Sequence, residues 1–246
     1  MKIMVTNDDG INSEGLITLA DTLKSIADVW VVAPEREMSA VSHSLTLHRP
    51  LRVKEVSKNC YCVDGTPTDC VHLGVHCILS SRPNLVISGV NKGGNLGCDI
   101  AYSGTVSAAM EGTVLGIPSF AISLVAKEDF EFQTAASFAL RLATYILKNG
   151  LPKGTLLNVN IPNAKKEEIR QYRITRQGKR IHGSSIVEKT DPRGEKYYWF
   201  ADNNLGFEEM RDSDSQAIEQ NCISITPLLL DMTDHASIED IDKWVF

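Results

Sequence analysis

Asp8 and Asp9 are adjacent carboxylates placed directly after a short apolar run, Ile3-Met4-Val5-Thr6. Two such charges repel by a few kcal/mol at ~4 Å in a partly shielded medium, so something positive is expected beside them. A hard divalent cation, Mg²⁺ or Mn²⁺, suits the oxygen donors that the neighbouring loops offer. These are the carboxylates of Asp8 and Asp9, a hydroxyl from Ser39 and an amide oxygen from Asn91. The competing reading of Asp8-Asp9-Gly10 is a plain turn with Asp8 as a cap. A hairpin turn is out of place between a first parallel strand and a helix, which favours the metal.

Anion chemistry is suggested further along. Tyr102-Ser103-Gly104-Thr105 opens a helix, where backbone N–H groups and hydroxyls at the positive end of the dipole suit a phosphate. Ser103 as an ordinary N-cap is the alternative, with equal support on this segment alone. The run Gly89-Val90-Asn91-Lys92-Gly93-Gly94-Asn95 reads as a third loop of the same site or as a flexible connection. A cation held beside an anion cradle is what phosphate-ester hydrolysis requires.

These loops need a frame that gathers them on one edge. Apolar runs at 2–6, 28–33, 85–88, 119–124 and 155–161 read as strands. Helical periodicity or capping marks 15–27, 67–79, 103–115 and 130–147, the last ended by Asn149-Gly150. Residues 51–56 and 61–63 read as a short antiparallel pair. Continuous apolar strands alternating with helices predict an α/β fold with a doubly wound, mainly parallel sheet. In that class ligands sit beyond the carboxyl ends of the strands, which is where all three loops fall. From 171 to 210 the pattern changes to aromatic and charged alternation (Tyr197, Tyr198, Trp199, Phe200), which predicts hairpins forming an arm. The expected division is a core over 1–170 and, over 171–246, an arm and C-terminal segment that returns partly to the core. The arm packs on its own domain or on a second subunit.

Composition narrows the function classes. The 246 residues are 43% hydrophobic and 23% charged, ordinary for a globular protein. The net charge of −6 lacks the basic footprint that holds a nucleic-acid polymer. The six cysteines form no C-x-x-C pair. With no run of ~18 apolar residues and no signal-peptide core, a soluble cytoplasmic protein is expected, without a membrane partner.

Taken together, the motifs resemble the SurE family, the survival-protein nucleotidases. The resemblance rests on Val5-Thr6-Asn7-Asp8-Asp9-Gly10, Ala33-Pro34-Glu35-Arg36 with Ser39, Gly65-Thr66-Pro67-Thr68-Asp69-Cys70, Gly89 to Gly97, Tyr102-Ser103-Gly104-Thr105-Val106, Asp191-Pro192-Arg193-Gly194 and Ser224-Ile225-Thr226-Pro227-Leu228. They occur in family order over nearly the whole chain. The resemblance implies a 5′-nucleotidase, or more broadly a nucleoside monophosphate phosphatase. It implies one divalent cation per subunit on Asp8, Asp9, Ser39 and Asn91. It further implies a Rossmann-like core whose C-terminal β-hairpin arm pairs subunits into a homodimer or homotetramer. Ala40 follows Ser39 where glycine is common in the family, Cys98 interrupts a usually acidic stretch, and Asn221-Cys222-Ile223 replaces a typical Gly-Tyr-Val.

The expected reaction is in-line attack of water on the phosphorus of a nucleoside 5′- or 3′-monophosphate. Asp8 and Asn7 are the expected catalytic residues: Asn7, Ser103, Gly104 and Thr105 would hold phosphate oxygens, Asn95 would assist, and a carboxylate, Asp8, would take a proton from the water. An aspartyl-phosphate route fits less well, because Asp8-Asp9-Gly10-Ile11 is not the Asp-x-Asp-Thr/Val pattern of such enzymes. A dinucleotide-binding protein lacks support, since G-x-G-x-x-G is missing at the first turn. A non-catalytic nucleotide-binding or assembly protein stays open. His72 and His76 share a helix face without the H-E-x-x-H zinc pattern, so they read as core or surface residues. His43 and His48 flank the Ser39 loop, where an approach to substrate is a minor reading, and Lys165-Lys166-Glu167-Glu168 reads as a solvated helix face.

Overall fold

The computed structural model describes residues 1–164, 167–181, 186–200 and 206–245. Lys165 and Lys166, half of the charged run, lie outside the described residues. Five parallel strands form the centre of the sheet: β1 (Lys2–Thr6), β2 (Asp28–Pro34), β5 (Leu85–Lys92), β6 (Ser119–Val125) and β7 (Thr155–Pro162). On one side β4 (Cys60–Val63) runs parallel to β2 and pairs antiparallel with β3 (Val53–Ser57). On the other, β11 (Ile223–Leu229) pairs antiparallel with β7 and parallel with the edge strand β8 (Tyr172–Ile174). Among the described residues this gives a nine-stranded sheet in the order β3-β4-β2-β1-β5-β6-β7-β11-β8. The chain leaves β1 toward β2 on one side and returns at β5 on the other, so the order reverses between β1 and β5. Crevices open at such switch points.

Both faces of the sheet are covered, as the doubly wound class requires. α1 (Glu14–Leu23) and α4 (Phe132–Asn149) lie on one face, where Leu16, Leu19, Ala139 and Ile146 meet Ile3, Val5, Ile87 and Ile122. α1 starts at Ser13, whose hydroxyl accepts from Leu16 N. On the opposite face α2 (Pro67–Leu73) carries a capping box between Thr66 and Asp69 with Pro67 in its first turn. Its neighbour α3 (Gly104–Val114) is buried on nearly every side, and its small residues permit close approach to the sheet. At Gly112 a Cβ would come 2.3 Å from Ser119 Oγ.

Several predicted boundaries differ: the helix expected over 15–27 ends at Leu23, and the strand expected over 85–88 runs on to Lys92. The helix expected over 67–79 is α-helical only to Leu73 and continues as a π turn over Gly74–Ile78. Gly74 approaches the sheet so closely that a Cβ would meet Met4 Cε at 2.4 Å, and the wider turn closes with Leu79 N on Gly74 O at 2.9 Å. The arm expected over 171–210 is narrower. Tyr172–Ile174 belongs to the main sheet, and the separate hairpin consists of β9 (Ile186–Thr190) and β10 (Lys196–Phe200). Its turn is Asp191-Pro192-Arg193-Gly194, where Asp191 Oδ1 accepts from Arg193 N and Glu195 N. Residues 182–185 and 201–205, also within the predicted arm, lie outside the described residues. The chain returns through α5 (Asp214–Glu219) to β11 and ends with a short exposed helix, α6 (Ile238–Ile241). Among the described residues no helix is long and apolar enough to cross a membrane.

Candidate functional site

A cleft of about 430 Å³ opens at the β1/β5 switch point. Its walls come from the three loops singled out by sequence: Asp8 and Asp9 after β1, Glu37, Ser39 and Ala40 after β2, and Asn91, Lys92, Gly94 and Asn95 at the end of β5. Asp99, Tyr102 and Ser103, on the approach to α3, complete it. All four expected metal-binding residues, Asp8, Asp9, Ser39 and Asn91, therefore line one cavity, as do Asn95 and Ser103 from the expected phosphate set.

Asp8 is 7% exposed and is gripped by the start of α3. Thr105 N donates to Asp8 Oδ2 at 3.0 Å and Thr105 Oγ1 to Asp8 Oδ1 at 2.5 Å. Each carboxylate oxygen has a second lone pair, so this grip orients Asp8 without exhausting it. Ser103 caps α3 by accepting from Val106 N at 3.0 Å. Gly104 stands between these two contacts, and neither takes up its N–H. A side chain there would come 2.9 Å from Asp8 Cβ, so glycine is required for the approach.

Burial raises the pKa of Asp8 above the usual carboxylate range, against the hydrogen bonds from Thr105. Burial first, and the neighbouring Asp8 second, push Asp9 up to about 6, while a backbone hydrogen bond from Lys92 N (3.2 Å) opposes them. The negative charge predicted here is thus present and under-compensated. Lys92 is the one cation among the cleft-lining residues, and Glu37 adds a further carboxylate. Among the described residues no three His, Cys, Asp or Glu side chains are arranged to hold a metal. The donor set fits a hard cation only when Ser39 and Asn91 add neutral oxygens to the two carboxylates. Ser39 Oγ now donates to Glu37 Oε1 at 2.7 Å, and Asn91 Nδ2 donates to Gly93 O at 2.9 Å, a bond that leaves the amide oxygen over.

The Ser39 loop bends through left-handed backbone at Ala40 (φ 55°) and Ser42 (φ 53°). Such conformations are uncommon for residues with a Cβ and cost on the order of 1 kcal/mol each. Anchors offset that cost: Met38 N donates to Asp8 O at 2.7 Å, and Ser42 N to Tyr102 O at 3.0 Å. Asn95 is fixed from beneath by β6 and β7. Its N–H donates to Asn160 Oδ1 (2.8 Å), its amide to Ser123 Oγ (2.8 Å), and Asn158 and Asn160 both donate to its carbonyl.

Two expected ligands are placed otherwise than the cleft-lining residues. Asn7 is fully buried, and its amide nitrogen donates to Gly10 O (3.0 Å) and Ser13 Oγ (2.7 Å), tying the β1 loop to the cap of α1. Thr105 spends its hydroxyl and N–H on Asp8. Both residues shape the site from behind the surface. Sequence reasoning passed over Glu37, Lys92, Asp99 and Tyr102 as site residues. Lys92 and Tyr102 lie inside motifs already quoted and Glu37 falls between Arg36 and Ser39, so the neighbouring Asn91, Ser103 and Ser39 were the available signal. Asp99 pairs with Arg180, which links the cleft to the segment before the hairpin.

Fold and cleft define a doubly wound α/β protein with an acidic, oxygen-lined site at its topological switch point. The chain belongs to the SurE family: the family model for survival protein SurE matches residues 3–184. It is 51% identical over 245 residues to the 5′-nucleotidase SurE of Geotalea uraniireducens, covering 99% of each chain. It is 52% identical over 247 residues to that of Pelobacter propionicus, covering 100% of each. The crystal structure of the SurE protein from Aquifex aeolicus superposes with a TM-score of 0.89 at 44% identity, over 98% of both chains.

Proposed function

We propose that this protein is a metal-dependent phosphomonoesterase that hydrolyses nucleoside 5′-monophosphates, and 3′-monophosphates as a second class, to nucleoside and phosphate. The convergence of Asp8, Asp9, Ser39 and Asn91 on one cleft carries this reading. The names of the full-length relatives, 5′-nucleotidase SurE, support the substrate class. One Mg²⁺ or Mn²⁺ per subunit, held by those four residues, would supply the positive charge that the cleft lacks and polarise the phosphoryl group.

The chain's own groups do the rest. Ser103 Oγ and Gly104 N–H, at the start of α3, hold phosphoryl oxygens where the dipole favours negative charge. Asn95, immobilised by Asn158 and Asn160, orients a further oxygen. Asp8 accepts the proton of the attacking water on a carboxylate oxygen, its raised pKa suiting a base better than an ordinary carboxylate. Thr105 and Asn7 act one layer back, Thr105 by fixing Asp8 and Asn7 by fixing the β1 loop. The hairpin and C-terminal segment, within 171–246, join subunits into a homodimer or homotetramer, and the exposed aromatic side chains of β10 support that role. The acidic net charge argues against a nucleic-acid polymer as substrate, and the location proposed with this activity is the cytoplasm.

Phosphate release from a panel of nucleoside 5′- and 3′-monophosphates, in EDTA and with Mg²⁺ or Mn²⁺ restored, tests the proposal. Release that depends on metal and disappears in Asp8→Asn, with an unchanged circular dichroism spectrum, is expected. Turnover in EDTA, or full activity in Asp8→Asn, would reject it.

A further inference from the structure

Glu111 is a carboxylate only 5% exposed in the body of α3, seven residues beyond Gly104 and therefore on the same helix face. That face lies along α2. Pro67 packs against Gly104, its Cγ 3.2 Å from where a Cβ would project, and five residues on from Pro67, His72 Nδ1 meets Glu111 Oε1 at 3.0 Å. The second oxygen, Oε2, meets His43 Nε2 at 2.9 Å. A buried carboxylate needs such partners, but α2 and α3 could have packed through apolar residues there. What the charge adds is the third element. His43 belongs to no helix or strand and sits four residues after Ser39, beyond the left-handed turns at Ala40 and Ser42. The rest of the loop is held at its backbone, by Ser42 N on Tyr102 O, Thr46 N on Asp69 Oδ1 and the Thr66 hydroxyl on Ser44 O, so His43 is the side chain through which α3 reaches it.

We infer that Glu111 and His43 are positioning residues for the metal site, the buried Glu111 carboxylate holding the Ser39 loop through His43 so that Ser39 stays in the cleft it lines together with Asp8 and Asp9. The inference rests on Ser39 being a ligand, as proposed above. Glu111 touches no substrate and no cation; it acts through a histidine on a loop whose turns are otherwise unfavourable. His72 fixes the other oxygen, Oε1, and keeps the carboxylate aimed at His43. Outer partners of this kind typically change metal affinity by 10–100-fold when removed.

Titration of Mn²⁺ into the full chain, followed by calorimetry, tests this with melting curves in EDTA as a control for folding. His43→Ala is expected to bind about tenfold more weakly with a melting temperature close to that of the parent. His43→Gln, whose amide nitrogen reaches about as far as Nε2, is expected to recover most of that loss. Ser39→Ala/His43→Ala is expected to bind no more weakly than Ser39→Ala alone, because His43 acts only through Ser39. Parent-like binding by His43→Ala, or losses that add in the double variant, would overturn the inference. Asp9→Asn separates it from the reading beneath it. Abolished binding in Asp9→Asn leaves the His43 variants decisive, whereas retained parent affinity removes the metal site and the inference together.

Discussion

Thr105 donates to Asp8 twice, from its backbone N–H and from its hydroxyl, so the first turn of α3 is committed to orienting a carboxylate of the β1 loop. Thr105→Val keeps the shape of the side chain and removes one donor. Loss of a hydrogen bond to a buried charged group costs about 1.5–3 kcal/mol, and a freed Asp8 also loses its fixed direction. Urea denaturation should record that destabilisation, and Mn²⁺ affinity should fall by about tenfold or more. Unchanged affinity would mean that Asp8 does not depend on α3 for its aim.

Asp9, with its pKa pushed up to about 6 from 3.8, ties stability to pH. A carboxylate with a raised pKa lets the native state bind more protons than the unfolded state between the two values. Stability of the metal-free protein therefore falls as pH rises through that window and stays lower above it. The contribution is on the order of 1 kcal/mol after discounting for solvent screening. Melting curves in EDTA should show Asp9→Asn gaining on the parent between about pH 4 and pH 6 and remaining more stable at pH 7.5. Saturating Mn²⁺ should reverse the ranking at pH 7.5, because only the parent binds the ion. A constant difference between the two proteins across pH would show that Asp9 titrates normally.

Ala40 occupies a backbone conformation that glycine adopts without penalty. Ala40→Gly removes on the order of 1 kcal/mol of local strain and gives back part of it as extra freedom in the unfolded chain. The expected result is a melting temperature equal to or slightly above that of the parent, with metal affinity retained. A clear loss of stability would show that the Ala40 methyl makes contacts worth more than the strain.

The frame was legible because its physics is local. β1, β5 and β6 are largely buried on both faces and read as nearly continuous apolar runs. β2 and β7 keep enough apolar positions to be read as strands, although Trp30 and Val31 are half-buried and Asn158 and Asn160 interrupt β7, so the loops after them were found without knowing the strand order. β8 was not legible. Three residues at a sheet edge, with Tyr172 and Ile174 more than half exposed, carry no burial pattern. The end of α2 was missed because the close contact of Gly74 with Met4 lies between residues seventy apart in sequence. Within the site, residue type identified oxygen donors but not their targets. Asn7 and Thr105 have the right chemistry for phosphate, yet the fold turns one to Ser13 and the other to Asp8. Glu111 was invisible for the same reason: nothing in the spacing of His43, His72 and Glu111 says that they meet.

The β9–β10 hairpin leaves Trp199 and Phe200 64% and 88% exposed beside Tyr198, on a two-stranded sheet that pairs with no other strand among the described residues. Isolated two-stranded ribbons are marginal in water, and aromatic side chains displayed this way bury well only against another surface. A second subunit supplies that surface under the assembly proposed above. Light scattering of the parent should then report a dimer or tetramer, and Trp199→Lys/Phe200→Lys should lower the mass toward 27.1 kDa. Metal binding should survive in the variant, because none of the residues lining the cleft comes from the hairpin. A parent that scatters as a monomer would remove the hairpin from assembly. A variant that loses metal affinity along with its mass would instead show that subunit contact shapes the cleft, with the Arg180–Asp99 pair, between the segment before the hairpin and the cleft wall, as the connection to examine.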